Sequence, residues 1–460
     1  MAESSTTWRM TNISKSTRPC PICGKQDYCF FRQHIVDGNY EFFCHRTTSE
    51  SDVVGVDGNL YYFKRFSEGA NAKVFETDED RKLRGYNGSI RANLGQVTRP
   101  NFQVVDEGPL EGEVPVASVE LRDRFNRSLV SMMRLSRKHE ASLREDWNTP
   151  NTPDLFERVT KVYPVFSVAP NDYIVSRYGY EGDKTLPRRG DVAKAMADTF
   201  WDVSSFPGFV TNLKGEPTIV GQEGIWFPVY NKDGKLISWR VRCDYPDKKG
   251  FLSDGREGVF SHSYNKNGKE LTLFYPSESE THKPEEVSIL WSSVKGKTQN
   301  KYKNLCGVFE KREEGKRYNG YGVGCKVGSL LSLYTQPSDN MSIVFLTEGE
   351  KKAMVANILS GYPCISIPGV NSFMKLFQKE DDGESMMDNL KRRGCRLAVV
   401  CYDADKSQNE SVLSAQNGLA KALADCQMQV AIGEWNEHWG KGLDDIFVRG
   451  LKPTICPVKL

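Results

Sequence analysis

The 460-residue sequence has no long apolar run and little net charge of either sign. No stretch approaches the ~18 consecutive apolar residues that a membrane-spanning helix needs, so we expect no transmembrane segment and no membrane partner. Residues 1–19 lack the apolar core of a secretory signal, which predicts a cytoplasmic location. Because 62 Lys and Arg face 60 Asp and Glu, any basic surface for nucleic acid must be local.

What the sequence does contain is typical of a soluble globular protein, with 38% hydrophobic and 27% charged residues. At roughly 150 residues per domain, the length predicts about three domains. Composition changes along the chain divide it into a cysteine-rich segment (1–75), a linker rich in charges, Gly and Pro (76–115), a middle segment (116–335) and a C-terminal domain (336–460). We see no internal repeat.

Four of the twelve cysteines lie close together near the N-terminus, namely Cys20, Cys23, Cys29 and Cys44. A Cys-x-x-Cys turn places two sulfurs on one metal, and a strand pair between residues 30 and 43 would bring Cys44 back to it. Four thiolates are typical of a closed, structural zinc site. His34 and His45 are alternatives to Cys29 as ligands, and the other interpretation is a set of ordinary buried thiols.

The middle segment begins with a predicted amphipathic helix over 119–139, on which Leu121, Phe125 and Leu129 form the apolar stripe. Its other face is basic and is either a solvated surface or a phosphate-contacting one. That face carries Arg122, Arg124, Arg127, Arg134, Arg137 and Lys138.

Two apolar runs further along, 225–230 and 236–242, flank Asp233-Gly234 and predict a β-hairpin. Residues 245–300 are rich in Gly, Ser and Lys and predict an insertion or a flexible loop.

Strands and helices alternate in the C-terminal domain, which favours a parallel α/β sheet. The predicted strands are 343–346, 364–367, 396–402 and 429–432, and the predicted helices are 351–359 and 415–424.

Acidic residues stand where two of these strands end. Glu348 follows the first strand, and Asp403 and Asp405 follow the third. Because parallel strands end at the same edge of a sheet, the three carboxylates are expected to converge there and to bind Mg²⁺ or Mn²⁺. The alternative is that they merely solvate loops. A further pair, Asp444-Asp445, would either add a supporting carboxylate or cap a helix.

These residues together resemble the Toprim domain of bacterial and phage primases, which pairs a Glu-Gly strand exit with an Asp-x-Asp strand exit. The matching segments are Leu346–Gly349 and Tyr402–Asp405, although Ala404 stands where that family usually has Gly. Thr347–Ala353, Ile367–Val370 and Lys441–Asp445 look more like the Toprim-like proteins of phages, plasmids and integrative elements. The cysteine-rich segment is similar to the zinc-binding head of such proteins, and this similarity favours Cys20, Cys23, Cys29 and Cys44 as the ligands.

The resemblance implies an α/β fold in three parts. It predicts a small zinc ribbon, a mixed α+β subdomain that begins the polymerase core, and a Toprim-like parallel sheet with helices on both faces at the C-terminus. It also implies that a basic set in the middle segment binds template or nucleotide phosphates; the alternative is exposed strand charges. That set is Arg240, Arg242, Lys301 and Lys303.

The implied activity is that of a DNA primase, which joins ribonucleoside triphosphates into short RNA primers on single-stranded DNA. Glu348, Asp403 and Asp405 would hold catalytic Mg²⁺ or Mn²⁺. Residues 295–298 end like a phosphate-binding loop, but Trp291 stands where its first Gly should be, so we expect the helicase to be a separate partner. Two alternatives stay open: a metal-dependent Toprim nuclease, and a non-catalytic replication-initiation or single-strand DNA-binding factor.

Overall fold

The fold is that of a computed structural model. It describes residues 8–12, 19–25, 29–34, 40–47, 51–56, 59–67, 72–77, 110–171, 175, 177, 182–266, 269–277, 284–296, 298, 301–313, 316–380, 382–404 and 410–458. The chain forms two compact units: Met1–Gly108 with Asn409–Gly418, and Pro109–Gln408 with Leu419–Leu460. The predicted boundaries at 75, 115 and 335 stay predictions, and most of the predicted linker, 78–109, lies outside the described residues. Within the described part of the chain, no helix is long and apolar enough to cross a membrane.

The first unit contains a six-stranded antiparallel sheet with strand order β1-β2-β3-β6-β5-β4. Aromatic side chains fill its core, because Phe31, Phe42, Tyr61 and Phe75 are all at most 3% exposed. The strands are β1 (Trp8–Asn12), β2 (Phe30–His34), β3 (Tyr40–Cys44), β4 (Val53–Val54), β5 (Leu60–Ser67) and β6 (Ala72–Thr77).

The second unit opens with helices that pack on small sheets. The helices are α1 (Val119–Met132), α2 (Arg137–Trp147), α3 (Leu155–Val162) and α4 (Arg189–Phe200). The strands are β7 (Glu113–Val114), β8 (Phe166–Val168), β9 (Phe209–Thr211), β10 (Pro217–Ile219), β11 (Gly224–Tyr230), β12 (Leu236–Cys243), β13 (Lys248–Phe251), β14 (Glu257–Lys266), β15 (Lys269–Pro276), β16 (Glu285–Val287), β17 (Tyr302–Asn304), β18 (Glu310–Glu313), β19 (Lys316–Asn319) and β20 (Val323–Cys325).

These strands form a sheet β10-β9-β20-β7, a sheet β17-β12-β11-β8, a sheet β13-β14-β15-β16 and the hairpin β18-β19. The predicted hairpin is therefore β11-β12, and Gly234 makes its turn with a φ of 75°.

Two expectations for the middle segment differ from the structure. The helix predicted through His139 ends at Met132, and a new helix starts after Ser136, whose hydroxyl accepts a hydrogen bond from the His139 amide at 3.2 Å. Such a side-chain cap satisfies an amide that would otherwise lack a partner at a helix start. Residues 245–300 are not a flexible loop throughout, because strands β13–β16 form an antiparallel sheet there.

The C-terminal sheet has strand order β21-β23-β22-β24-β25-β26, and its four central strands are parallel. Its strands are β21 (Ser332–Tyr334), β22 (Ile343–Glu348), β23 (Cys364–Ile367), β24 (Leu397–Val400), β25 (Gln429–Glu434) and β26 (Thr454–Pro457). Its helices are α5 (Glu350–Ser360), α6 (Met386–Arg392), α7 (Glu410–Asp425) and α8 (Leu443–Val448). Three 3₁₀ helices complete the described part: Trp291–Ser293, Val370–Phe377 and Glu437–Trp439.

One hydrophobic core runs through the second unit and joins the helices of the middle segment to the C-terminal sheet. Trp147, Trp226 and Trp239 are at most 1% exposed within it. Helix α5 buries the consecutive residues Ala353–Asn357, because it packs against both β23 and α8. The predicted α/β class is confirmed: a parallel C-terminal sheet follows a mixed α+β subdomain and a small sheet that carries the clustered cysteines.

Candidate functional site

The four clustered cysteines of the first unit meet as a group. Their sulfur atoms all lie within 4.8 Å of one another, with 3.7 Å between Cys23 and Cys29 and 4.0 Å between Cys29 and Cys44. Tetrahedral zinc with bonds of about 2.3 Å requires sulfurs about 3.8 Å apart. The observed spacing therefore fits zinc.

Local structure explains how these sulfurs converge. Cys20 and Cys23 lie in a tight turn, in which the Gly24 amide donates to the Cys20 carbonyl at 2.8 Å. Cys29 precedes β2, and Cys44 ends the neighbouring strand β3. Hydrogen bonds with Cys29 and Cys44, together with burial, raise the pKa of the Cys20 thiol. A divalent cation would remove the cost of gathering thiolates here.

Of the two histidines that were alternatives to Cys29, His45 is not part of this group. The ring of His45 lies 5.8 Å from that of Phe30 and is exposed, and the side chain of His34 lies outside the described residues. Cys29 occupies the position for which the two histidines were alternatives.

Two of the three predicted metal-binding carboxylates follow adjacent parallel strands of the C-terminal sheet. Glu348 is the last residue of β22, and Asp403 lies three residues beyond β24. Leu346 pairs with Val400 across these strands, so both exits lie at the same edge. Gly349 turns the chain into α5 with a φ of 92°, a conformation that favours glycine. Asp405 lies outside the described residues.

The Glu348 carboxyl group is electrostatically coupled to Asp403. Burial raises the pKa of Glu348, and repulsion from Asp403 adds to this effect, whereas Lys352 and Lys441 oppose it. Asp403 forms an ion pair with Lys352, and a second cation, Lys441, lies 3.9 Å away. The Asp403 carboxylate is therefore already paired with a lysine.

The Asp444-Asp445 pair divides between the two roles predicted for it. The Asp445 carboxylate caps α8 by accepting hydrogen bonds from the amides of Lys441 and Gly442 at 2.9 and 2.8 Å. Asp444 is instead buried, and burial raises its pKa, while Lys351 at 3.6 Å opposes the shift. Asp444 therefore supplies a third acidic group beside this edge.

The carboxylates form a less compact group than the cysteine sulfurs. Among the residues that the structure describes, only the cysteine cluster brings three or more potential metal ligands within 4.8 Å of one another. Glu348 and Asp403 share an edge without forming so tight a group with a third described residue. Their carboxylate oxygens are donors of the kind that Mg²⁺ or Mn²⁺ prefers.

The predicted phosphate-binding residues are only partly together. Arg242 is half-buried on β12. Partial burial of Lys301 lowers the pKa of its ammonium, and repulsion from Arg242 lowers it further. Lys351 and Lys352 lower that pKa further. Arg242 and Lys301 therefore lie near Lys351 and Lys352, the lysines that pair with the acidic residues.

Arg240, predicted from the sequence to be a phosphate-binding residue or alternatively an exposed strand charge, is not exposed. It is 4% exposed, donates to Glu350 at 3.1 Å and donates to the Leu330 carbonyl at 3.0 Å. The reason is that Glu350, at the start of α5, is itself only 1% exposed and takes this cation as its partner.

Lys303 lies on the opposite face of the sheet from Arg242, because it pairs with Val241 across β12 and β17. It binds Asp247 at 3.1 Å and lines a cavity of about 1490 Å³ with Lys194 and Tyr321. That cavity lies away from the carboxylate edge.

The sequence interpretation missed the lysines that surround the carboxylates. Lys352 lies four residues after Glu348, and Lys351 binds both Asp146 at 2.7 Å and Asp444. No local spacing signalled this arrangement, because the partner of Lys352 is Asp403, 51 residues later in the chain.

Residues 334–452 match the family model described as Domain of unknown function (DUF3854). None of the curated proteins matches the chain. Among solved structures, the chain is similar to the zinc-binding and RNA polymerase domains of the Aquifex aeolicus primase, with 12% identity and a TM-score of 0.33 over 73% of this chain and 59% of that one. The chain is also similar to the E. coli primase catalytic core, with 13% identity and a TM-score of 0.32 over 73% of this chain and 80% of that one. A third similar structure is the DnaG primase catalytic domain bound to single-stranded DNA, with 13% identity and a TM-score of 0.30 over 72% of this chain and 78% of that one.

Proposed function

We propose that this chain is a DNA primase that synthesises short RNA primers on single-stranded DNA. The observation that carries the proposal is that Glu348 and Asp403 leave adjacent parallel strands at the same edge of the C-terminal sheet, with Lys352 paired to Asp403. Lys301, beside Arg242 on the neighbouring sheet, lies near enough to Lys352 for its ammonium to be affected by that charge. Phosphoryl transfer needs mainly positioning and charge stabilisation, and carboxylates for a metal beside cations for phosphates supply both. The resemblance of the sequence to Toprim primases agrees with this reading.

In this proposal Glu348, Asp403 and Asp405 hold Mg²⁺ or Mn²⁺. The bound ion would neutralise triphosphate charge and lower the pKa of the attacking 3′-hydroxyl. Arg242 and Lys301 contact nucleotide or template phosphates from the neighbouring strands.

The other two basic residues take different places. Lys303 meets the template backbone from the opposite face of the sheet. Arg240 supports the site from within by holding Glu350 at the start of α5.

The first unit holds structural zinc through Cys20, Cys23, Cys29 and Cys44. Four thiolates close the coordination sphere, so this ion would stabilise the small sheet and take no part in chemistry. The expected partners are single-stranded DNA, ribonucleoside triphosphates and a separate replicative helicase, in the cytoplasm of a host that carries a phage, plasmid or integrative element.

The test is an assay with labelled ribonucleotides, single-stranded DNA and Mg²⁺. Short RNA products are expected from the wild type, and Asp403→Asn should reduce them at least about a hundredfold, because a metal ligand contributes several kcal/mol to the transition state. The matched control is Glu434→Gln, which removes one exposed carboxylate from the end of the parallel strand β25 and should leave synthesis unchanged.

The three functions give different products. RNA that depends on Asp403 supports the primase. Degraded template without nucleotide incorporation supports the metal-dependent nuclease. Binding of DNA with neither product supports a non-catalytic initiation or single-strand binding factor.

A further inference from the structure

Lys352 is held across the carboxylate edge by three separate segments of the chain. It lies in the first turn of α5, and its ammonium forms an ion pair with Asp403 beyond β24. Its methylene groups pass over Gly442, just before α8, where a Cβ atom would stand 2.9 Å from Cε and 3.2 Å from Cδ of the lysine. A side chain at Gly442 would therefore press on this lysine, and also on the Asp444 carboxylate, whose Oδ1 would stand 2.5 Å from the added Cβ.

The neighbouring lysines are engaged differently. Lys351 binds Asp146 at 2.7 Å and Asp444 at 3.6 Å, on the other side of the acidic edge. Lys441 is 3.9 Å from Asp403, and its side chain is 64% exposed, against 22% for Lys352. Lys352 is thus the cation that the fold places directly on the proposed metal ligand.

This arrangement has a consequence for any divalent ion that binds Asp403. The ion and the ammonium are like charges that compete for the same carboxylate, so the ammonium must move away when the ion enters. A displaced and partly buried ammonium needs a new anionic partner. A triphosphate that arrives with the ion supplies one, since lysine is a common phosphate ligand.

We propose that Lys352 is a built-in counter-ion that makes the carboxylate site select a metal–triphosphate complex over the free divalent ion. This inference rests on the proposed function, because it assigns to the same site its preferred ligand. Lys352 pairs with Asp403 until the complex binds and then turns to the triphosphate. The ion and the triphosphate are therefore bound together, each raising the affinity for the other.

The experiment measures two affinities on the full chain with zinc bound. The first is that for free Mn²⁺, followed by electron paramagnetic resonance. The second is that for an equimolar complex of Mn²⁺ with a non-hydrolysable nucleoside triphosphate, followed by fluorescence. Lys352→Met keeps the methylene packing on Gly442 and removes the charge, and Lys352→Gln is a second, polar variant.

The two affinities should move in opposite directions. Both Lys352 variants are expected to bind free Mn²⁺ about tenfold more tightly and the complex about tenfold more weakly, within the usual range of coupling between ligands. Lys441→Met removes the same charge from the same neighbourhood, and it should change either affinity less than about threefold because that lysine is largely exposed. Asp403→Asn should abolish Mn²⁺ binding in each background and so locates the ion.

The outcomes separate the two proposals. If the Lys352 variants and the wild type bind free Mn²⁺ equally and also bind the complex equally, the counter-ion role is wrong while the metal site stands. If both affinities fall together, Lys352 only supports the structure, and the inference is overturned. If the wild type binds neither ligand through Asp403, the proposed metal site and this inference both fail.

Discussion

Replacing Arg240 by methionine should destabilise the second unit strongly. Arg240 and Glu350 are 4% and 1% exposed and form an ion pair at 3.1 Å. Methionine fills a similar volume, but it leaves the Glu350 carboxylate buried without its partner and the Leu330 carbonyl without its donor. We therefore expect this substitution to act on folding before it acts on any ligand.

The expected size follows from the burial of both charges. Removing one partner of a buried ion pair costs about 3–5 kcal/mol, whereas an exposed pair contributes about 0–1 kcal/mol. The matched control is Arg242→Met, two residues along the same strand, where the side chain is half-buried and near the acidic edge. It should cost less than about 1 kcal/mol in stability and should weaken nucleotide or template binding instead.

Urea unfolding followed by tryptophan fluorescence measures this difference, because Trp226 and Trp239 are buried on the two strands of the same hairpin. The double variant Arg240→Met/Glu350→Gln should recover part of the lost stability, since it removes the uncompensated charge. An Arg240→Met protein that unfolds within about 1 kcal/mol of the wild type, yet loses DNA binding, would refute the reasoning and restore Arg240 as a surface contact.

Three further predictions concern other features. By metal analysis, purified protein should contain one zinc ion per chain. Cys29→Ser should lose this ion, whereas the control His45→Ala should keep it. A Cys29→Ser protein that still binds zinc would contradict the ligand set. Burial by itself raises the pKa of Glu41, but hydrogen bonds from Arg65, Lys64 and Arg32 outweigh it and lower the pKa to about 2. The stability that Glu41 contributes is therefore present above the unfolded pKa near 4.5 and is lost as the pH falls towards about 2. The stability difference between wild type and Glu41→Gln should shrink over that window, and a constant difference would count against the ion-pair network. Finally, Gly349→Ala should cost about 1–3 kcal/mol by thermal unfolding, because its φ of 92° and ψ of 140° form a backbone conformation that residues with a side chain rarely adopt, although no atom lies within 4 Å of the added Cβ. An unchanged melting temperature would show that this turn relaxes.

The C-terminal sheet was the most predictable part of the fold. The predicted strand 364–367 agrees with β23, and the other three predicted strands lie on β22, β24 and β25. Central parallel strands are buried on both faces, so they are continuous apolar runs that the sequence shows directly. The carboxylates at their ends were predictable for the same reason, because topology alone brings parallel strand exits together.

The charge partners were much less predictable. Arg240 and Arg242 lie only two residues apart on one strand, yet one is buried against Glu350 and the other is half-buried near Lys301. That difference depends on α5, which lies about 110 residues later in the chain. Local pattern also could not show that residues 245–300 contain a sheet, because the stabilising contacts of β13–β16 are specific pairings across strands.

The position of that four-stranded sheet has a practical consequence. It departs from β12 and returns at β17, and these two strands are direct neighbours, joined at the point of departure by the Cys243 amide and the Lys301 carbonyl at 2.9 Å. A segment whose two ends meet in this way can be exchanged for a short turn without pulling the host strands apart. We therefore expect evolution or an engineer to be able to vary the length and sequence of this segment while the carboxylate edge keeps its framework.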